Sequence, residues 1–211
     1  MPSGSTLAVF ALASFLLIVV PGPAVLYVVT RSVAQGRRAG LVSMLGIEAG
    51  GLVHVAAAAI GLSAVIASSA AAFTVVKLAG AAYLIYLGVR RLVVRDDALP
   101  EVATGGRSGK RLFVQGIVIN VLNPKTAVFF LAFLPQFVDP AKGTVTLQFL
   151  VLGLTFVAVA MLSDGAYALV AGTAGDWLRG SARVRRWLSR LSGAVFVGLG
   201  VTAALSGRPH D

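Results

Sequence analysis

Cysteine is absent from the 211-residue chain, which excludes a disulfide framework, thiolate metal sites and cysteine nucleophiles. Charge is scarce: 12% of residues are charged, against about 25% in soluble domains. Histidine occurs only at His54 and His210, and there is no HExxH motif. An enzyme embedded in a membrane needs a nucleophile with its base, or a bound metal, and this inventory supplies neither. The chain is therefore expected to be neither an enzyme nor the holder of a cofactor.

What is abundant is apolar surface. Hydrophobic residues make up 57% of the chain and the mean hydropathy is +0.89, enough for about six spanning helices of ~20 residues. Six apolar stretches predict the spans, at 7–30, 41–66, 71–89, 112–137, 147–172 and 188–206. Residues 1–6 hold no Lys or Arg, so the first stretch lacks a basic leader region and is expected to be a retained helix. The net charge of +10 does not point to nucleic acid, because the basic residues fall between apolar runs instead of on one solvated face.

The distribution of those charges predicts orientation. Fourteen basic residues follow the first, third and fifth stretches: Arg31, Arg37, Arg38, Arg90, Arg91, Arg95, Arg107, Lys110, Arg111, Arg179, Arg183, Arg185, Arg186 and Arg190. Three, Lys77, Lys142 and Arg208, lie on the other side, with Lys77 snorkelling to the interface. The positive-inside rule places the three basic loops in the cytoplasm, next to anionic lipid headgroups, and both termini outside. The polar stretch 96–110 reads as a cytoplasmic linker between residues 1–95 and 111–211, three spans on each side.

Two of the spans contain helix-breaking motifs: Pro21-Gly22-Pro23 in the first and Asn123-Pro124-Lys125 in the fourth. Proline in a helix interior removes a donor and clashes with the preceding turn. Gly22-Pro23 and Asn123-Pro124 each read as the restart of a half-helix, with proline at the first helical position and Gly or Asn before it. Three spans per half make the halves an inverted pair, and interruptions at matching positions of such halves point to a transporter's binding site. The amides around Ala24 to Leu26 and Lys125 to Ala127 then offer an anion site, with Lys125 as a countercharge for a carboxylate. The expected fold is an all-α membrane protein of six helices in two inverted three-helix repeats, helices 1 and 4 interrupted.

Glu48 and Asp164 lie inside the second and fifth spans, each about 12–18 Å from the cytoplasmic end at 1.5 Å per residue. An ionised carboxylate facing lipid is expensive, so both are expected to face the bundle interior, where proton coupling is the natural role and an interhelical hydrogen bond the structural one. His54 is read as a neutral interhelical hydrogen-bonding residue. Gly46 and Gly50 form a GxxxG pair suited to a compact bundle or to a homo-oligomer interface. Tyr83 and Tyr86 are read as packing residues, with lining of the pathway as the alternative.

Val20-Pro21-Gly22-Pro23, Gly36-Arg37-Arg38-Ala39-Gly40, Leu78-Ala79-Gly80-Ala81-Ala82-Tyr83-Leu84-Ile85-Tyr86-Leu87-Gly88 and Asn123-Pro124-Lys125 leading to Phe133-Leu134-Pro135-Gln136-Phe137 together resemble the LysE/RhtB family of amino-acid exporters. The resemblance spans nearly the whole chain. It implies six helices, a bacterial inner-membrane location and efflux of an amino acid or close derivative driven by the proton gradient. It also implies that Pro21, Gly22, Pro23, Asn123, Pro124 and Lys125 are functional elements. Many relatives carry Asp or Asn directly after the Pro-Gly-Pro motif; here Ala24 stands in that place, which leaves the substrate and the coupling details open. A divalent-metal or small-ion efflux protein is the alternative, for which the sequence offers only Glu48, His54 and Asp164 as intramembrane ligands.

Overall fold

The computed structural model describes residues 1–64, 70–93 and 108–180, and beyond them residues 190, 194, 197–202 and 204–205. Among the described residues all regular structure is helical. The linker lies mostly outside them, as do nine of the nineteen residues of the stretch expected at 188–206 and the side chain of Lys77.

Helix α1 (Gly4–Val19) starts where Ser3 accepts the Thr6 amide at 3.2 Å, a side-chain cap for an orphan donor. It stops at Val20, ahead of two prolines. Helix α2 (Pro23–Gln35) restarts with Pro23 at its first position and runs at 56° to α1. It ends at Gly36, whose φ of +84° suits glycine alone without strain. Helix α3 (Arg37–Ala57) follows at once and ends in a π turn at Ala58–Leu62. Helix α4 (Ala70–Val93) is 24 residues long.

The second broken element is α5 (Gly109–Val121) with α6 (Pro124–Val128), which continues through a π turn (Phe129–Phe133) and a 3-10 turn (Leu134–Phe137). The two pieces meet at 45°. Helix α7 (Val145–Gly180) is the longest, at 36 residues. Gln148, fully buried on it, bonds the Asp139 amide, the Asp139 carbonyl and the Gly143 carbonyl, which pins the preceding loop.

Arg37–Leu62 and Val145–Ala171 are long and apolar enough to cross a bilayer, and the two bent pairs add up to two more spans. Their outward faces carry Leu12, Leu45, Ile60, Leu122 and Leu162, all exposed, as a lipid-facing surface requires.

Two apolar clusters fill the interior. Phe10, Phe129, Phe130, Phe133, Phe137 and Phe156 stack with centroid separations of 5.1–6.3 Å and join α1, α6 and α7. Ala24, Tyr27, Val28, Met44, Ile47 and Ala168 form the second, joining α2, α3 and α7. The closest helix contact is between α3 and α5. A Cβ on Gly50 would lie 2.8 Å from the Ile117 carbonyl, and one on Gly116 2.7 Å from the Ser43 carbonyl; one on Gly46 would strike the Phe113 carbonyl. The GxxxG pair thus serves packing within the chain.

Arg31 corrects the sequence reading. Counted there among the loop arginines, it is 1% exposed, on the inner face of α2 with its guanidinium 5.6 Å from the Tyr27 ring centre. Tyr83 and Tyr86 lie side by side with ring centres 5.9 Å apart, both exposed on the surface of α4 and away from the interior cavity described next.

Candidate functional site

Between the two apolar clusters lies a cavity of about 30 Å³, room for roughly two water molecules. It collects residues from both breaks and from two unbroken helices: Gly22, Ala24 and Val25 from α2 and its cap, Asn123, Lys125 and Thr126 from the second break, Glu48 from α3 and Asp164 from α7. The two intramembrane acids, 116 positions apart in sequence, therefore share one chamber. Both are buried, and Glu48 Oε1 and Asp164 Oδ1 have no hydrogen-bond partner. Asp164 is within electrostatic reach of both Glu48 and Lys125.

The two restarts differ. At the second, Asn123 caps its own helix: its side chain takes the Lys125 amide at 3.1 Å and its carbonyl takes the Ala127 amide at 3.0 Å. Two of the amides expected to point unpaired into the membrane are therefore satisfied locally. At the first, Gly22 has no side chain to offer, and only the Leu26 amide returns to the Gly22 carbonyl. Ala24 and Val25, whose amides follow Pro23, line the cavity.

The carbonyl end of α1 is held from the second half of the chain. Lys125 Nζ donates to the Val20 carbonyl at 2.6 Å, and the Tyr167 hydroxyl donates to the Val19 carbonyl at 2.7 Å. The last carbonyls of a helix have no intrahelical donor, so both contacts satisfy orphan acceptors. Lys125, expected as a countercharge for a bound anion, is here engaged with the backbone.

Asn120, one turn before the second break, ties the site together. Its amide nitrogen donates to the Ile47 carbonyl at 2.7 Å, its side-chain oxygen accepts from Thr126 at 3.0 Å, and its backbone carbonyl meets His54 Nε2 at 2.9 Å. His54 is thus the interhelical hydrogen-bonding residue the sequence suggested. Asn120 itself escaped the sequence reading, as did Tyr167 and Thr126. The available signal for Asn120 was an amide side chain in the middle of an apolar run. Elsewhere, Tyr27 donates to the Leu112 carbonyl at 2.9 Å and Ser32 donates to the Ala168 carbonyl, fastening α2 to α5 and α7.

Comparison with known proteins identifies the family. The profile of the LysE type translocator family matches residues 15–207. The chain belongs to the LysE type translocator family. It is 32% identical to the homoserine/homoserine lactone efflux protein of Salmonella typhimurium over 195 residues, 92% of this chain and 94% of that one. It is 33% identical to an uncharacterized membrane protein of Vibrio cholerae, over 94% and 93% of the two chains. The threonine efflux protein of Escherichia coli is 28% identical over 88% of this chain and 91% of its own. No solved structure matches. This translocator is a multi-pass membrane transporter and not an enzyme. Among the described residues no group of three or more His, Cys, Asp or Glu is placed to hold a metal ion, so the alternative of metal efflux gains no ligand set there.

Proposed function

We propose that the protein is a secondary active exporter of an amino acid or a close derivative, working across a bacterial inner membrane with both termini outside. The observation that carries this reading is the shared chamber: two broken spans and two buried acids meet in one interior cavity. The chain names of the efflux relatives support amino-acid substrates.

In this reading the six spans form two inverted three-helix repeats, residues 1–95 and 111–211, with the site at their interface near the membrane midplane. The substrate carboxylate is held at the restart formed by Pro21, Gly22 and Pro23, on the Ala24 and Val25 amides at the positive end of α2. Asn123, Pro124 and Lys125 form the facing wall and supply a positive charge. Glu48 and Asp164 meet the substrate ammonium and carry the proton that returns as substrate leaves. The observed cavity of about 30 Å³ does not admit an amino acid, so in this reading it widens for loading and for release. Loading requires the Tyr27–Met44–Ala168 cluster to part, and release requires the phenylalanine cluster to part.

The test is excretion from cells loaded with a panel of dipeptides, comparing the intact protein with Pro23→Ala and Pro124→Ala variants of equal membrane abundance. Faster exit of one amino acid only with the intact protein is expected. Normal export by both proline variants would remove this binding site. Retention of proton-driven transport after Glu48→Gln and Asp164→Asn together would remove the coupling assignment.

A further inference from the structure

Among the described residues Arg31 is the largest fully buried side chain, 1% exposed, and it has no task in the mechanism above. A charge buried inside a membrane bundle is expensive, and the residues that carry one mark substrate and ion paths. An arginine that only sets topology extends to the interface, where it meets water and anionic headgroups. Arg31 is turned the other way.

Its place follows from helical spacing. Ala24, Tyr27, Arg31 and Gln35 stand at i, i+3, i+7 and i+11 of α2 and so share one face. Ala24 and Ile47 belong both to the wall of the chamber and to the apolar cluster next to it. Tyr27, 5% exposed, belongs to that cluster, with its ring centre 5.6 Å from the guanidinium. Its hydroxyl donates to the Leu112 carbonyl at 2.9 Å and reaches Gln115 Oε1 at 3.4 Å, which holds the ring against α5. Gln35 is half-buried and Gly36 after it is exposed, so the face reaches the surface one turn past Arg31. Arg31 therefore lies about 10 Å along α2 from Ala24 at 1.5 Å per residue, between that surface and the cluster that must part for loading.

We propose that Arg31 is the substrate's entry residue: its guanidinium takes the carboxylate of an incoming amino acid on the cytoplasmic side of the Tyr27 cluster, before the carboxylate passes to the Ala24 and Val25 amides. The proposal rests on the exporter reading and its orientation. The guanidinium is engaged at rest, so the carboxylate gains it by exchange. Two parallel charge-assisted hydrogen bonds to a carboxylate outweigh a contact with a ring face. Drawing the guanidinium off Tyr27 also removes one of the contacts that keep the ring in the cluster. The α2 face then offers two positive stations in sequence, the guanidinium and the amide end of the helix about 10 Å further on. The substrate class that this selects is compounds with a free carboxylate; amines and carboxamides give the planar guanidinium fork no matching partner.

The experiment is uptake into inverted membrane vesicles, whose outer surface is the cytoplasmic face. The probes are each common L-amino acid and its carboxamide, which keeps the ammonium and the side chain and loses the negative charge. With the intact protein at least one amino acid is expected to enter, in preference to its carboxamide. Arg31→Gln is expected to raise the half-saturation concentration of that amino acid about tenfold or more, as loss of a charged hydrogen-bond partner requires. The maximal rate is expected to move less, and the preference over the carboxamide to narrow by the same factor. Arg31→Lys keeps the charge without the fork and is expected to fall between. An arginine that only braces the fold would slow both compounds alike, so an undiminished preference in Arg31→Gln overturns the proposal, as does an unchanged half-saturation concentration. If Arg31→Gln gives no monodisperse peak in size-exclusion chromatography, Arg31→Lys decides: a rise confined to the amino acid supports the proposal, and equal effects on both compounds refute it. Failure of every amino acid to enter with the intact protein removes the exporter reading and the entry residue with it, whereas uptake that Arg31→Gln leaves unaltered removes the entry residue alone.

Discussion

The Tyr167 hydroxyl sits 2.7 Å from the carbonyl of Val19, linking α7 to the last turn of α1 across 148 positions of sequence. Tyr167→Phe deletes only that oxygen and leaves an orphan carbonyl at the break. A loss of about 1 kcal/mol is expected, read as a fall of a few degrees in the melting midpoint. Because the bond closes the seam between α1 and α7, the same variant is expected to alter export more than its stability loss explains. An unchanged export rate at equal abundance would leave Tyr167 with a purely structural role.

Glu48 is buried beside a second acid and has one oxygen without a partner. Burying an acid in such company is tolerated for function and not for stability. Glu48→Gln is expected to raise the melting midpoint by a few degrees, about 1 kcal/mol, while sharply cutting proton-driven export. A variant that loses both stability and export would mark Glu48 as a packing residue.

The contact between α3 and α5 permits no side chain at three glycines. Gly50→Ala and Gly116→Ala are each expected to cost about 1–3 kcal/mol, since the neighbouring atoms are backbone and cannot yield. Gly61→Ala, where a Cβ meets nothing within 4 Å, is expected to stay within about 0.5 kcal/mol of the parent. Thermal melting of the three variants side by side checks the contrast.

Asn120 and Thr126 flank the second break and share a 3.0 Å hydrogen bond. Asn120→Ala also loses the bond to the Ile47 carbonyl, so a cost of about 1–2 kcal/mol is expected, and a double-mutant cycle with Thr126→Val is expected to give a coupling near 0.6 kcal/mol. Additive effects of the two substitutions would mean the bond contributes nothing to the fold.

Much of this architecture was legible before any coordinates. The prolines at 21, 23 and 124 announced both breaks, because a missing amide and a ring clash act locally. Glu48 and Asp164 stood out because ionisable groups are rare inside apolar stretches. What could not be read were facts made by tertiary packing. Arg31 sits at the edge of an apolar run, where burial and exposure look the same in sequence. Whether Lys125 faces a ligand or a carbonyl depends on where α1 ends relative to α6, which no spacing within either helix encodes. Asn120 was hidden because attention went to charge, although an amide in a membrane interior also demands partners.

The bend at Gly22 gives α2 the properties of a lever arm. Its 13 residues span about 20 Å at 1.5 Å each, so a rotation of about 10° at the fulcrum sweeps the far end by about 3.5 Å. Gly36, with its left-handed backbone, is a second swivel at that far end. A displacement too small to see at Lys125 is thereby magnified where α2 meets the start of α3. With no native cysteine to compete for label, spin probes on cysteines introduced at Gln35 and at an α7 position read that stroke directly as a distance.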